Sequence, residues 1–112
     1  MKRRLDLDDS RVISIQREPG RVFIELEQTR NNRSTLITVA ASGVSREDAE
    51  YYIGHNVTAP HPSPAAPLDY VEFAEQGPDF VELGGYLNSQ SWYLWRIAAA
   101  EFEIRRSDAQ AT

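Results

Sequence analysis

Val22, Ile24 and Leu26 alternate with Phe23, Glu25 and Glu27. A period of two places successive side chains on opposite sides of an extended backbone, so this segment reads as a half-buried strand. The preceding Arg11–Arg17 repeats the pattern, with Val12, Ser14 and Gln16 on one side and Ile13 and Ile15 on the other. Between them, Glu18-Pro19-Gly20-Arg21 carries Pro and Gly where a type II turn wants them. Two-residue hairpins prefer the primed turns, so this connection is expected to carry a bulge or to be slightly wider. After a polar loop at Thr29–Arg33, Leu36, Ile37, Thr38 and Val39 follow in succession. Such a run, Ser34–Ser42, fits a strand covered on both faces or lying at a sheet centre. The three segments make a meander.

The period then changes. Ser45 is a good N-cap, Asp48 stands at the capping-box position, and Val44 is placed to staple onto Ala49. Tyr52 and Ile53 continue an apolar face and Gly54 is a natural stop, so a short helix is expected here, with Tyr51 and Tyr52 forming an aromatic patch. Residues 55–67 contain four of the six prolines, which excludes a helix or a central strand and points to an extended connector.

Strand character resumes at Leu68–Glu75, where Val71 and Phe73 alternate with Tyr70, Glu72 and Ala74. Gln76-Gly77-Pro78-Asp79 reads as a turn. Phe80–Leu87 is a further strand in which Gly84-Gly85 marks a bulge or bend. Trp92–Arg106 fits either a strand or a helix, and the turns that precede it favour a strand with a bulge near Ala99–Ala100. The expected fold is mainly β: an antiparallel sandwich or strongly bent sheet of about six strands with one short α-helix. A chain of 112 residues fits one domain, with an acidic lead-in at 1–10, the Pro-rich connector at 55–67 and a frayed tail at 107–112.

Composition narrows the chemistry. No cysteine is present, which removes disulfides, thiolate catalysis and Cys-based zinc sites. A net charge of −5 disfavours the phosphate neutralisation that nucleic-acid binding requires. The basic start Lys2-Arg3-Arg4 is not followed by an apolar stretch, and no run approaches the ~18 apolar residues of a membrane span. A cytoplasmic location without membrane contact is therefore expected.

His55 and His61 are the only histidines, six residues apart in the Pro-rich segment and near Asp69. That spacing matches no ligand set, and no metal or other cofactor is expected. Asp6, Asp8 and Asp9 resemble the start of a calcium loop, but Arg11 and Arg17 stand where its Gly and Glu belong. The carboxylates are spread over predicted strands and no nucleophile motif is present, so the chain reads as non-enzymatic. Tyr86, Trp92, Tyr93 and Trp95 are the most informative group. On one strand, Trp92 with Leu94 and Tyr93 with Trp95 must point to opposite sides, so one pair is at least partly exposed. Exposed aromatics are enriched at interaction hot spots. These four residues, with His55 and His61, are the candidate contact residues.

Asp9-Ser10-Arg11-Val12-Ile13-Ser14-Ile15, Ala41-Ser42-Gly43-Val44 and Trp92–Ile104 occur in the order of three stations found in a group of small bacterial β-rich proteins. The chain resembles that group, several of whose members are assigned as polymorphic-toxin immunity proteins. The resemblance implies a binding role, inhibition of a toxin being one form of it, and brings no functional residue with it. The expected function is thus a non-catalytic interaction domain whose partner is a protein, either a toxin or a second copy. The alternative is a small-ligand-binding or enzymatic domain with a cleft beside the Pro-rich loop.

Overall fold

The computed structural model describes residues 3–54, 57–60, 69–87 and 91–108. Ten antiparallel strands join in one sheet: β1 (Arg3–Leu5), β2 (Ser10–Glu18), β3 (Arg21–Arg30), β4 (Arg33–Ser42), β5 (Arg46–Gly54), β6 (Val57–Pro60), β7 (Tyr70–Gln76), β8 (Phe80–Leu87), β9 (Ser91–Ala98) and β10 (Glu101–Asp108). Their order is β10-β4-β3-β2-β7-β8-β9-β5-β6, with β1 beside β7. The sheet bends around a single core. Val22, Ile24 and Leu26 of β3 and Ile37, Val39 and Ala41 of β4 share it with Val81 and Leu83 of β8 and Tyr93, Trp95 and Ile97 of β9. Each contributes alternate residues from one face, as the two-residue period requires.

The turns show how local chemistry fixes the register. Glu18 pairs directly with Arg21, and Gly20 takes the positive φ of +73° that the third position of the turn demands. The connection is therefore two residues long, and the irregularity lies deeper in the hairpin, between Val12 and Ser14. There Ile13 is extruded and 43% exposed. Asn31 and Asn32, at φ +52° and +62°, form the next two-residue turn, since Arg30 pairs with Arg33. Positive φ at both positions is the primed geometry that Asn tolerates.

Both ends of the bent sheet are closed. At one end the chain leaves β1, dips inward and returns as β2, burying Leu7 fully and Leu5 almost fully. Gln28 donates to the Asp8 carbonyl at 2.8 Å and Arg30 pairs with Asp6 at 2.9 Å, which holds this excursion down. The Arg30 guanidinium also keeps the Asp6 carboxyl below the usual aspartate range. At the other end, Ser45 N donates to Ala98 O, Ala99 N to Asp79 O and Ala100 N to Ser42 O, all at 2.9–3.0 Å.

Four expectations are corrected. There is no helix at 44–53: Arg46–Gly54 is β5, antiparallel to β9 from Arg46↔Ala98 to Tyr51↔Tyr93. Helix-favouring Ala and Glu are overridden by a partner strand far away in sequence. Among the described residues the sheet has ten strands rather than about six, because the lead-in contributes β1, the Pro-rich segment contributes β6 and Trp92–Arg106 divides in two. The break falls at Ala99–Ala100, where the chain crosses from β8 to β4 instead of bulging. Ser107 and Asp108, expected to be frayed, pair with Leu36 and Thr35. β6, within the segment expected to be a connector, stands last in the sheet order and ends in Pro60, a position that proline permits.

Candidate functional site

The bend gives the β7–β8–β9 portion an outer face, and the register decides what stands on it. Tyr70, Tyr86 and Trp92 form one row across the three strands, and Phe73, Gly84 and Leu94 the next outward row. The intervening row, Val71, Gly85 and Tyr93, points into the core. Strict alternation from Val71 would send Phe73 inward as well. A bulge between Val71 and Phe73 reverses the phase, so that Val71 and Ala74 are buried while Phe73 turns outward.

Gly84 makes room for this. A Cβ there would lie 2.3 Å from the Phe73 ring, so the ring rests on bare backbone. Trp92 stacks against Phe73 at 6.0 Å between centroids, with planes 15° apart, and meets Tyr86 edge-on at 5.4 Å. Such arrangements suit the quadrupoles of the rings. Arg4 of β1 lies over the other part of the cluster, 5.7 Å from the Phe73 centroid. Tyr86 is 37% exposed and Trp92 and Leu94 are half-buried, so the cluster is held in place yet reachable. Tyr70 Oη donates to Asp9 Oδ1 at 3.3 Å; burial and then the Asp9 charge push its hydroxyl pKa up.

Beyond the aromatics the face becomes charged. Arg96 pairs with Glu82 at 3.0 Å and sits over the Phe80 ring at 4.6 Å, and Arg46 pairs with Asp48 at 2.8 Å. Leu94 and these ion pairs line a shallow depression of about 390 Å³, with Glu50 at its side. The face thus offers aromatic and aliphatic contact area at one end and charge-assisted hydrogen bonding at the other.

Tyr93 and Trp95 belong to the core instead, both fully buried. Trp95 Nε1 donates to Glu47 Oε1 at 3.1 Å. Arg17 reaches the same carboxylate through Nη2 at 3.0 Å and Nε at 3.3 Å, with its guanidinium 5.7 Å from the Trp95 ring. This bridge joins β2 to β5, two strands whose backbones do not pair. Burial pushes the Tyr93 hydroxyl up to about 12, Glu47 adding to the shift and Arg17 opposing it.

Of the sequence candidates, the structure brings Tyr86 and Trp92 together on the outer face and places Tyr93 and Trp95 inside. His55 and His61, and the side chains of Tyr51 and Tyr52, lie outside the described residues. Among the described residues no group of three His, Asp or Glu side chains is placed to hold a metal ion, and no helix is long and apolar enough to cross a membrane. Sequence reasoning missed Phe73, Arg17 and Glu47. Gly84-Gly85 was the available signal for Phe73, but it marks a bulge on the opposite strand. Comparison with known proteins returns no match: no family model, no curated protein and no solved structure.

Proposed function

We propose that this chain is a non-catalytic protein-interaction domain that binds its partner through the outer face of β7–β8–β9. The observation that carries this reading is Trp92, held partly exposed between Phe73 and Tyr86 on a floor flattened by glycine. A rigid, partly desolvated Trp–Tyr pair offers large contact area at little cost in side-chain entropy, as interaction hot spots do. The paired charges of Arg96–Glu82 and Arg46–Asp48 form a polar border on one side. An immunity-type inhibitor of a toxin is a specific form of this role, and it accords with the resemblance of the sequence to such proteins.

The test uses as partner a protein captured on the immobilised wild-type chain. Calorimetric titration of that protein with the wild-type chain and with Trp92→Ala and Tyr86→Ala is expected to show binding weakened at least about 30-fold by the Trp92 change. The circular dichroism spectrum of the variant should be unchanged. Wild-type affinity in both variants would refute the assigned face.

A further inference from the structure

A second outer face, on β3, β4 and β10, carries groups that the proposed interaction does not use. The register sets three rows across it: Arg21–Ser42–Glu101, Phe23–Ala40–Glu103 and Glu25–Thr38–Arg105. All point away from the core residues Val22, Ile24, Val39 and Ala41. β4 presents only short side chains here, so it floors a trough walled by β3 and β10. Two depressions of about 370 and 160 Å³ lie along it and share Phe23, Ala40 and Glu103.

Four charges stand at the corners of this trough, Arg21 and Glu25 on β3 and Glu101 and Arg105 on β10. From strand spacing and rise, the rectangle measures about 10 by 13 Å. Positive and negative corners alternate around it. Within one copy, Glu103 pairs with Arg105 at 2.9 Å and Glu25 accepts from Ser14 Oγ at 3.2 Å. A patch of this kind is complementary to itself. Rotation by 180° about an axis in the sheet plane along β4 exchanges the walls row by row, so Arg21 meets Glu101 and Glu25 meets Arg105. An axis across the strands also opposes unlike corners, but it sets Glu103 against Glu103.

We propose that two copies of this chain associate face to face through β3, β4 and β10, about a two-fold axis parallel to β4. In the middle row Phe23 of each copy then faces Glu103 of the other, flanking the trough floor where the two Ala40 residues meet, and the contact is isologous. Edge-to-edge pairing is the less favourable route, because β10 presents Glu101, Glu103, Arg105 and Arg106 along its length. Three strands of this length offer on the order of 400 Å² of flat area per copy, so the dimer is weak and reversible. Its charge pairs make it salt-sensitive.

Sedimentation velocity from about 10 μM to 1 mM covers the range of such an affinity. At low salt the wild-type chain is expected to shift from monomer toward dimer as concentration rises, and less so at high salt. Two double variants test the pattern. Arg21→Glu with Arg105→Glu makes every corner negative, and Glu25→Lys with Glu101→Lys makes every corner positive. Each alone should associate at least about tenfold more weakly, and an equimolar mixture should recover association. Ala40→Glu, a single change on the trough floor, should also weaken the dimer and serves if a double variant misfolds. The proposal is overturned if the wild type stays monomeric at low salt, if the double variants associate like wild type, or if the mixture does no better than either alone. Loss of association in Trp92→Ala, with the charge variants unaffected, would place the contact on the aromatic face and overturn it too.

Discussion

Trp92 and Trp95 lie three residues apart on β9, so truncating each to alanine isolates what the inner and outer faces contribute. Trp95 is fully buried. A buried tryptophan removes roughly 150–250 Å² from water, which at about 25 cal/mol per Å² amounts to about 4–6 kcal/mol. Cavity data for Trp→Ala changes lie at about 3–5 kcal/mol, so about 4 kcal/mol is expected. Glu47 would lose the indole N–H at 3.1 Å but keep its bidentate Arg17, so an orphaned carboxylate adds little. Trp92 keeps only a minor part of its area in water, so its loss corresponds to about 3 kcal/mol, its contacts with Phe73 and Tyr86 included. The difference of about 1 kcal/mol, divided by a urea dependence of about 1–3 kcal/mol per M, separates the two midpoints by about 0.3–1 M. Urea unfolding should be followed by far-ultraviolet circular dichroism, because each substitution alters the fluorescence itself. Equal midpoint shifts, or a larger loss for Trp92→Ala, would refute the assignment of the two faces.

Two further outcomes follow from the geometry. A Cβ at Gly85 would lie 1.7 Å from the Tyr70 carbonyl oxygen, whereas one at Gly84 meets only the side chain of Phe73. Thermal unfolding should therefore show Gly85→Ala costing upwards of about 3 kcal/mol and Gly84→Ala nearer 1 kcal/mol; a reversed order would contradict the path of the β7 bulge. The Tyr93 hydroxyl pKa, about 12 in the folded chain, lies above its unfolded value near 10. Its contribution is complete below pH ~10 and is lost as pH rises toward ~12, an amplitude of about 2–3 kcal/mol. Stability measured against pH should fall over that window in the wild type and much less in Tyr93→Phe.

The β class and most strand positions were legible because strand patterns are local: Val22–Gln28 shows its inner face by alternation, and Ser34–Ser42 shows a central strand by its β-branched apolar run. β5 was not legible as a strand. Its period of two is present, with Glu47 and Ala49 inward and Arg46, Asp48 and Glu50 outward, but one inward residue is a glutamate. That residue is tolerated inside only because Arg17 and Trp95, 30 and 48 positions away, bind its carboxylate. Ser45, Asp48 and Ala49 meanwhile imitate a helix start. Leu5 and Leu7 were hidden in the same way among charges that Gln28 and Arg30 anchor. In the candidate site, Tyr86 and Trp92 were nameable from composition alone, but the choice between Trp92 and Trp95 as the outward residue needed the register. Phe73 needed more, because a single inserted residue inverts the face of everything after it.

The pairings of β5 and β10 set how this molecule must come apart. β5 leaves the amino-terminal meander to lie on β9, and β10 leaves the carboxy-terminal one to lie on β4. Each half of the chain thus supplies an outer strand to the other, while along the direct seam β1 and β2 together share five register pairs with β7. Neither meander can detach without stripping a strand from its neighbour. The thin seam is therefore no line of weakness: the interlocked exchange binds the halves into one cooperative unit, and fragments divided between β6 and β7 would each carry the piece the other lacks.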